Sequence, residues 1–154
     1  MDAKFINPIL EAIVSIVKSM GKVEPKPGKA EVKKDIMARG EITGLMLLTG
    51  SKATVSIAVT FQENVIRSIA ENMLPPDAPK TRGSLADLAG ELANMIAGET
   101  KQRLEAMNYT LDMSLPVIIY GPKHAIAHQA HGPTVLLPLS TEVGGFFVEF
   151  CYEG

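Results

Sequence analysis

The stretch GELANMIAGET, residues 90–100, places a carboxylate and a carboxamide three positions apart, at Glu91 and Asn94. Side chains with this spacing are neighbours on one face of a helix. An asparagine amide offers an acceptor and a donor but no basic or nucleophilic atom, whereas a glutamate can pair with a lysine or arginine of a partner. The combination suits the positioning of a water molecule against a substrate that is already reactive.

The helix that must carry this pair is predicted to begin near Ser84, where S-x-x-D is a capping signature, and to run to about Met107. At about 100° per residue its core side collects Leu85, Ala89, Leu92, Ala93, Ile96, Thr100 and Met107, with Leu104 at the edge. The opposite side collects Asp87, Glu91, Asn94, Gly98, Lys101 and Glu105, with Leu88 and Met95 at its border.

Two glycines lie close to the Glu–Asn pair, although a glycine in a helix interior costs roughly 0.5–1 kcal/mol relative to alanine. Gly90 precedes Glu91, and Gly98 lies one turn beyond Asn94 on the same face. One reading is that the glycines thin the helix surface so that a partner can approach closely. The other is that they serve close packing inside the protein, and that the Glu–Asn pair belongs to a solvated face.

The rest of the chain predicts an α+β fold with a largely antiparallel sheet, two long helices and an N-terminal helix. The first helix has apolar residues at helical spacing and begins at Asn7–Pro8, or at Asp2 a turn earlier. Three strands are expected between residues 31 and 60, followed by a second helix with a capping box from Thr60 to Glu63. Three or four further strands follow the third helix, and HAIAHQAH is one of them.

Composition excludes several classes of function. The formal net charge of −2 gives no electrostatic support for nucleic-acid binding. No apolar run is long enough to span a membrane, and the N-terminus lacks the features of a signal peptide, so we expect a cytoplasmic protein. The one cysteine, Cys151, lies in a strand-like run and is expected to pack as a small apolar residue.

The sequence DLAGELANMIAG resembles the signature of the CheC/CheX/FliY family of chemotaxis phosphatases, which act on the phosphorylated response regulator CheY. In that signature an acidic residue or serine is followed by a glutamate, an asparagine and a downstream proline, which correspond here to Asp87, Glu91, Asn94 and Pro116. The opening helix and the segments VEPKPGK, NMIAG and LPVIIYGP are similar to the CheX branch. The resemblance covers essentially residues 1–154, as a single domain.

The resemblance implies a mechanism. Asn94 would orient a water for attack on the phosphorus of the regulator's aspartyl phosphate, and Glu91 would pair with the regulator's active-site lysine. The regulator would carry Mg²⁺, and this chain would hold no metal or cofactor. The surface around the pair would bind the regulator through Asp87, Leu88, Met95, Gly98 and Lys101.

The resemblance also implies a homodimer whose sheets join across the two subunits. A second E-x-x-N site on the first helix, found in CheC-type relatives, is absent here because Val14 follows three residues after Glu11. The other E-x-x-N, at Glu105 and Asn108, is interpreted as a helix end with a left-handed cap at the asparagine.

Other functions have weaker support. His124, His128 and His131 would share a face on a helix, but the glycine–proline pairs on both sides indicate a strand, in which they do not converge on a metal. We therefore expect a solvated strand. The alternative function is a non-catalytic adaptor that binds a regulator or a motor component, and a metal-dependent hydrolase finds too few suitably placed ligands.

Overall fold

The computed structural model describes residues 3–154. Three helices, α1 (Ala3–Gly21), α2 (Glu63–Met73) and α3 (Arg82–Glu105), pack on one side of an antiparallel sheet. The strands are β1 (Lys26–Pro27), β2 (Glu31–Val32), β3 (Ile42–Thr49), β4 (Thr54–Phe61), β5 (Asp112–Met113), β6 (Val117–Tyr120), β7 (Thr134–Thr141) and β8 (Gly144–Glu153). The predicted α+β class is confirmed, although the long helices are α1 and α3, and α2 has only 11 residues.

The sheet follows the order β1-β7-β8-β4-β3-β5, with β2 also paired to β7 and β6 also paired to β3. Strands β3, β4, β7 and β8 form the long centre. The short strands β1 and β2 lie at one edge, whereas β5 and β6 lie end to end along the other. The helical face of β4 presents Val55, Ile57 and Val59, all fully buried, as their alternation predicts.

Helix α3 lies directly on β3 because both elements carry small residues where they meet. A Cβ added to Gly44 of β3 would lie 2.6 Å from the carbonyl oxygen of Ala89 and 2.8 Å from the Cβ of Ala93. The helix and strand backbones are therefore in near contact, and neither can accept a larger side chain there without moving apart.

The outer face of the sheet is covered by residues 31–41 and 121–133, which hydrogen-bond to each other. Beneath them lies a buried ion pair in which Lys33 Nζ is 2.6 Å from Glu149 Oε2, with both side chains 1% exposed. His128 bridges Glu149 Oε1 at 3.1 Å and Ser56 Oγ at 2.7 Å. This polar layer explains why β4 is buried on both faces.

The histidine segment is therefore not the solvated strand that the sequence predicts. Only Ala125 forms a bridge, to Met37, and the rings of His124 and His128 point onto the sheet. His124 Nε2 lies 2.6 Å from Thr43 Oγ1, and His131 is exposed. Within residues 3–154 no group of three or more His, Cys, Asp or Glu residues could hold a metal.

The helix starts also differ from the predictions. Helix α1 already runs at Ala3, so it does not begin at Asn7–Pro8, and the alternative start at Asp2 lies outside the described residues. Thr60 belongs to β4, so the predicted capping box at α2 is wrong. The N–H of Glu63 donates instead to Glu41 Oε1, a carboxylate that reaches it from the segment before β3.

Candidate functional site

Helix α3 positions the Glu91–Asn94 pair. It begins one turn earlier than predicted, because the N-cap is Thr81, whose Oγ1 accepts a hydrogen bond from the N–H of Ser84. It ends at Glu105, followed by Asn108 with φ of +70°, so the left-handed helix end predicted at this asparagine is confirmed.

The division of α3 into two faces is observed, with one exception. Its inward face is fully buried at Leu85, Ala89, Leu92, Ala93, Ile96, Thr100 and Leu104. Met107, predicted to lie in the core, is 36% exposed because the helix ends two residues before it. On the opposite face Asp87 and Glu91 are exposed, and Asn94, Met95, Gly98 and Lys101 are half-buried. Leu88 is mostly buried between the two faces.

The two glycines have different surroundings. A Cβ on Gly90 would lie 2.7 Å from Cδ1 and 2.8 Å from Cγ1 of Ile118, and 3.9 Å from Cβ of Pro116. Gly90 therefore serves internal packing of the segment around β6 on the helix. A Cβ on Gly98 would meet only the Sδ of Met113, at 3.9 Å, so this position leaves the exposed face open. Close internal packing is confirmed for Gly90, whereas the approach of a partner at Gly98 stays a prediction.

The packing at Gly90 also locates Pro116. This proline lies 25 residues after Glu91 in the sequence. In the structure it packs against the helix at Gly90, the residue before Glu91. The proline of the signature therefore lies beside the helical turn that carries its glutamate.

Charge along α3 is balanced at one end and unbalanced at the other. Near its C-terminus, Glu99 pairs with Arg103 at 3.0 Å and Glu105 pairs with Lys101 at 3.1 Å. In contrast, the side chains of Asp87, Glu91 and Asn94 form no ion pair or hydrogen bond with residues 3–154. These polar groups are free for a partner.

A shallow groove adjoins Glu91. It encloses about 300 Å³ between the end of α2 and the first turns of α3, and it is lined by Leu74, Ser84, Asp87, Leu88 and Glu91. Sequence reasoning missed Leu74 and Ser84. Leu74 ends the apolar run of α2 and Ser84 lies in the first turn of α3, so only the packing of the two helices brings them together.

The remaining candidates lie elsewhere. The thiol of Cys151 is buried and donates to the carbonyl oxygens of Ala130 and Gly132 at 3.2 Å, which agrees with the predicted packing role. Glu11 does not extend the candidate site, because its carboxylate binds Arg103 at 2.6 Å.

Comparisons with known proteins place this architecture among the CheC-like proteins. A crystal structure of a CheC-like superfamily protein from Shewanella sp. PV-4 is 37% identical, covers 100% of both chains and has a TM-score of 0.89. A Borrelia burgdorferi structure, a CheX–CheY–BeF3–Mg²⁺ complex, is 24% identical, covers 97% of this chain and 98% of its counterpart, and has a TM-score of 0.79. Because the Borrelia burgdorferi protein is only 24% identical to this chain, its similarity shows that the two share a fold and nothing more.

The family model described as chemotaxis phosphatase CheX matches residues 42–140. The CheY-P phosphatase CheX of Thermotoga maritima is 23% identical over 140 residues, which are 91% of this chain and 89% of the relative. The chain belongs to the chemotaxis phosphatase CheX family. This membership confirms the resemblance noted in the sequence and the prediction that the chain is a phosphatase.

None of the helices within residues 3–154 is long and apolar enough to cross a membrane. The cytoplasmic location remains a prediction from the sequence.

Proposed function

We propose that this protein hydrolyses the aspartyl phosphate of a CheY-type response regulator. The observation that carries the proposal is the position of Glu91 and Asn94, two polar side chains without partners in the described chain on the outward face of a buried helix. The relative from Thermotoga maritima, which bears the name CheY-P phosphatase, supports the choice of substrate.

The chemistry that we propose is hydrolysis by positioning. A water oxygen attacks phosphorus in line with the acyl oxygen, the bond between phosphorus and that oxygen breaks, and the products are inorganic phosphate and the aspartate carboxylate. Asn94 would hold the water through its amide, because phosphoryl transfer needs little covalent help from the protein. No residue of this chain would become covalently modified.

Glu91 would pair with the lysine of the regulator's active site and so fix the position of Asn94 over the phosphoryl group. Its lack of an ion pair within residues 3–154 supports this role. Mg²⁺ would remain on the regulator, where it neutralises charge on the phosphoryl oxygens. The surrounding contacts would come from Asp87, Leu88, Met95, Gly98 and Lys101.

We also propose a homodimer joined at the β6 edge. The opposite edge is formed by two-residue strands and contains Pro27, which cannot donate a ladder hydrogen bond. The β6 edge is longer, and apolar residues in and just before β6 are open to solvent, since Val117 is 53% and Leu115 86% exposed. Sedimentation of a Val117→Lys variant as a monomer beside a wild-type dimer would support this edge, whereas a monomeric wild type would contradict the dimer.

The test of the phosphatase follows the decay of a CheY-type regulator that has been phosphorylated in vitro. It compares wild type, Asn94→Ala and the matched control Asn64→Ala, which removes an exposed asparagine from α2. Wild type and Asn64→Ala should accelerate decay equally. Asn94→Ala should lose at least about a hundredfold of the acceleration, with an unchanged melting temperature, because misplacement of the reacting groups costs on that order.

Two results would contradict the proposal. Full activity of Asn94→Ala would remove the water-orienting role. A wild type that binds the phosphorylated regulator without accelerating its decay would identify an adaptor instead.

A further inference from the structure

The groove beside Glu91 has apolar walls that belong to two different helices. Leu74 is the C-cap residue that follows α2, and Leu88 lies on α3 one turn before the Glu–Asn pair. Asp87 and Glu91 form the rim of the groove on the α3 side. The groove is therefore continuous with the surface that holds the proposed active site.

The connection between the helices is hydrogen-bonded at both ends. Ser84 Oγ donates to the carbonyl oxygen of Pro79 at 2.8 Å, and Arg67 Nη1 donates to that of Lys80 at 2.8 Å. The N–H of Leu74 donates to the carbonyl oxygen of Ala70 at 2.8 Å. These bonds hold both ends of residues 74–81 against the two helices.

The rim carries negative charge that the described chain leaves unbalanced. Asp87 and Glu91 are four residues apart on α3, a spacing at which like charges repel and opposite charges attract. Neither has an ion pair within residues 3–154, and no cationic side chain lines the groove. The nearby Arg82 is engaged with Glu63 at 3.1 Å.

We infer that this groove extends the regulator-docking surface beyond the Glu–Asn pair as far as Leu74, and that it receives an apolar side chain of the regulator with a lysine or arginine next to it. The apolar side chain would lie between Leu74 and Leu88, and the cation would pair with Asp87. The inference rests on the proposed function and adds a contact that is separate from the pairing of Glu91 with the active-site lysine.

A contact made by Leu74, which lies outside the helix that carries Asn94, should affect binding and not the chemical step. Loss of the apolar contact should raise the regulator concentration that half-saturates the phosphatase, which is its KM. The maximal rate should stay the same, because Asn94 is not among the residues that line the groove. This separation distinguishes a docking residue from one that positions the reacting groups.

The experiment measures KM and maximal rate for the regulator with Leu74→Ala, Leu74→Met and Leu10→Ala. Leu10 is a matched control, because it is also half-buried against the core, and its neighbour Glu11 binds Arg103 near the far end of α3. Leu74→Ala should raise KM roughly tenfold with the maximal rate unchanged, as expected for the loss of a buried leucine side chain. Leu74→Met should recover most of the affinity, and Leu10→Ala should behave as wild type.

A second variant, Asp87→Asn, tests the inference even if Leu74→Ala does not fold. Asp87→Asn changes only an exposed carboxylate, and it should raise KM and weaken the dependence of KM on salt. An unchanged KM in both variants would overturn the inference, as would a change in oligomeric state with Leu74→Ala, which would make the groove a contact between copies of this chain.

The outcome also separates this inference from the proposed phosphatase function. If wild type binds the regulator without accelerating its decay, the dissociation constant replaces KM, and the same variants still test the groove. If wild type neither binds nor accelerates decay of the regulator, both the function and the groove assignment are wrong.

Discussion

Gly90 on α3 and Ile118 on β6 are packed so closely that a Cβ on the glycine would lie 2.7 Å from the isoleucine Cδ1. We expect Gly90→Ala to lower the free energy of unfolding by about 1–2 kcal/mol. Overpacking costs about 1–3 kcal/mol, and the better helix propensity of alanine offsets part of that. Urea unfolding measures the change, and the double variant with Ile118→Val should regain part of the loss.

At Gly98 we expect an alanine substitution to change the free energy of unfolding in the opposite direction. A Cβ there would make only an ordinary contact with Met113, so Gly98→Ala should stabilise the fold by about 0.5–1 kcal/mol. Because Gly98 lies on the face that would meet the regulator, the same variant should raise KM. A stabilised protein with an unchanged KM would exclude Gly98 from the docking surface.

Glu91→Gln keeps the shape of the side chain and removes its charge. A hydrogen bond to a charged group contributes about 1.5–3 kcal/mol, so we expect roughly ten- to a hundredfold weaker binding of the regulator. The dependence of binding on salt should also become weaker. Glu71→Gln, at an exposed position of α2, is the control and should change neither quantity. Binding titrations at two salt concentrations test this prediction.

The ion pair between Lys33 and Glu149 is fully buried, so the loss of one partner leaves an uncompensated charge. Glu149→Gln should destabilise the protein by about 3–5 kcal/mol. The exposed pair of Lys18 and Glu24, 3.5 Å apart, provides the comparison, and Glu24→Gln should cost less than about 1 kcal/mol. Similar losses in the two variants, measured by urea unfolding, would contradict this difference.

Asp35 should make the stability of the protein decrease at low pH. A side-chain hydrogen bond from Arg39 lowers the pKa of this carboxyl from 3.8 to about 2, helped by the N–H of Met37. Because the pKa is lower in the folded protein, the stabilisation is complete above about pH 4 and is lost as the pH falls through about 2. The difference in stability between wild type and Asp35→Asn should therefore shrink across that interval. A difference that is the same at pH 5 and pH 2 would disprove the assignment.

The sequence predicted the α+β class and both faces of α3, because the spacing of apolar residues along a long helix indicates which face is buried. It was less reliable at element ends, where tertiary partners replace local signals. The T-x-x-E run at Thr60 has the form of a capping box, yet pairing with β3 and β8 keeps Thr60 in a strand. Glu41, 22 residues before Glu63, instead accepts the hydrogen bond from the N–H of Glu63 at the start of the helix.

The histidine segment shows a second limit. Its flanking glycine–proline pairs are typical of a strand, but they cannot reveal the hydroxyl groups of Thr43 and Ser56 that bind its rings. The groove could not be predicted from the sequence either, because Leu74 follows α2 and Leu88 lies on α3, and only tertiary packing brings them together. The Glu–Asn pair was found because both residues lie on one helix.

The near contact of α3 with the backbone of β3 at Gly44 fixes the helix as a rigid body on the sheet. Rolling or lifting α3 would separate Ala89 and Ala93 from Gly44 and leave an empty cavity. The backbone that carries Glu91 and Asn94 is therefore preorganised, and binding a regulator loses little backbone entropy on this side of the interface. Any rearrangement that limits the rate of association is then expected outside the backbone of α3, in the side chains of the docking surface, in the segment around Leu74 or in the regulator.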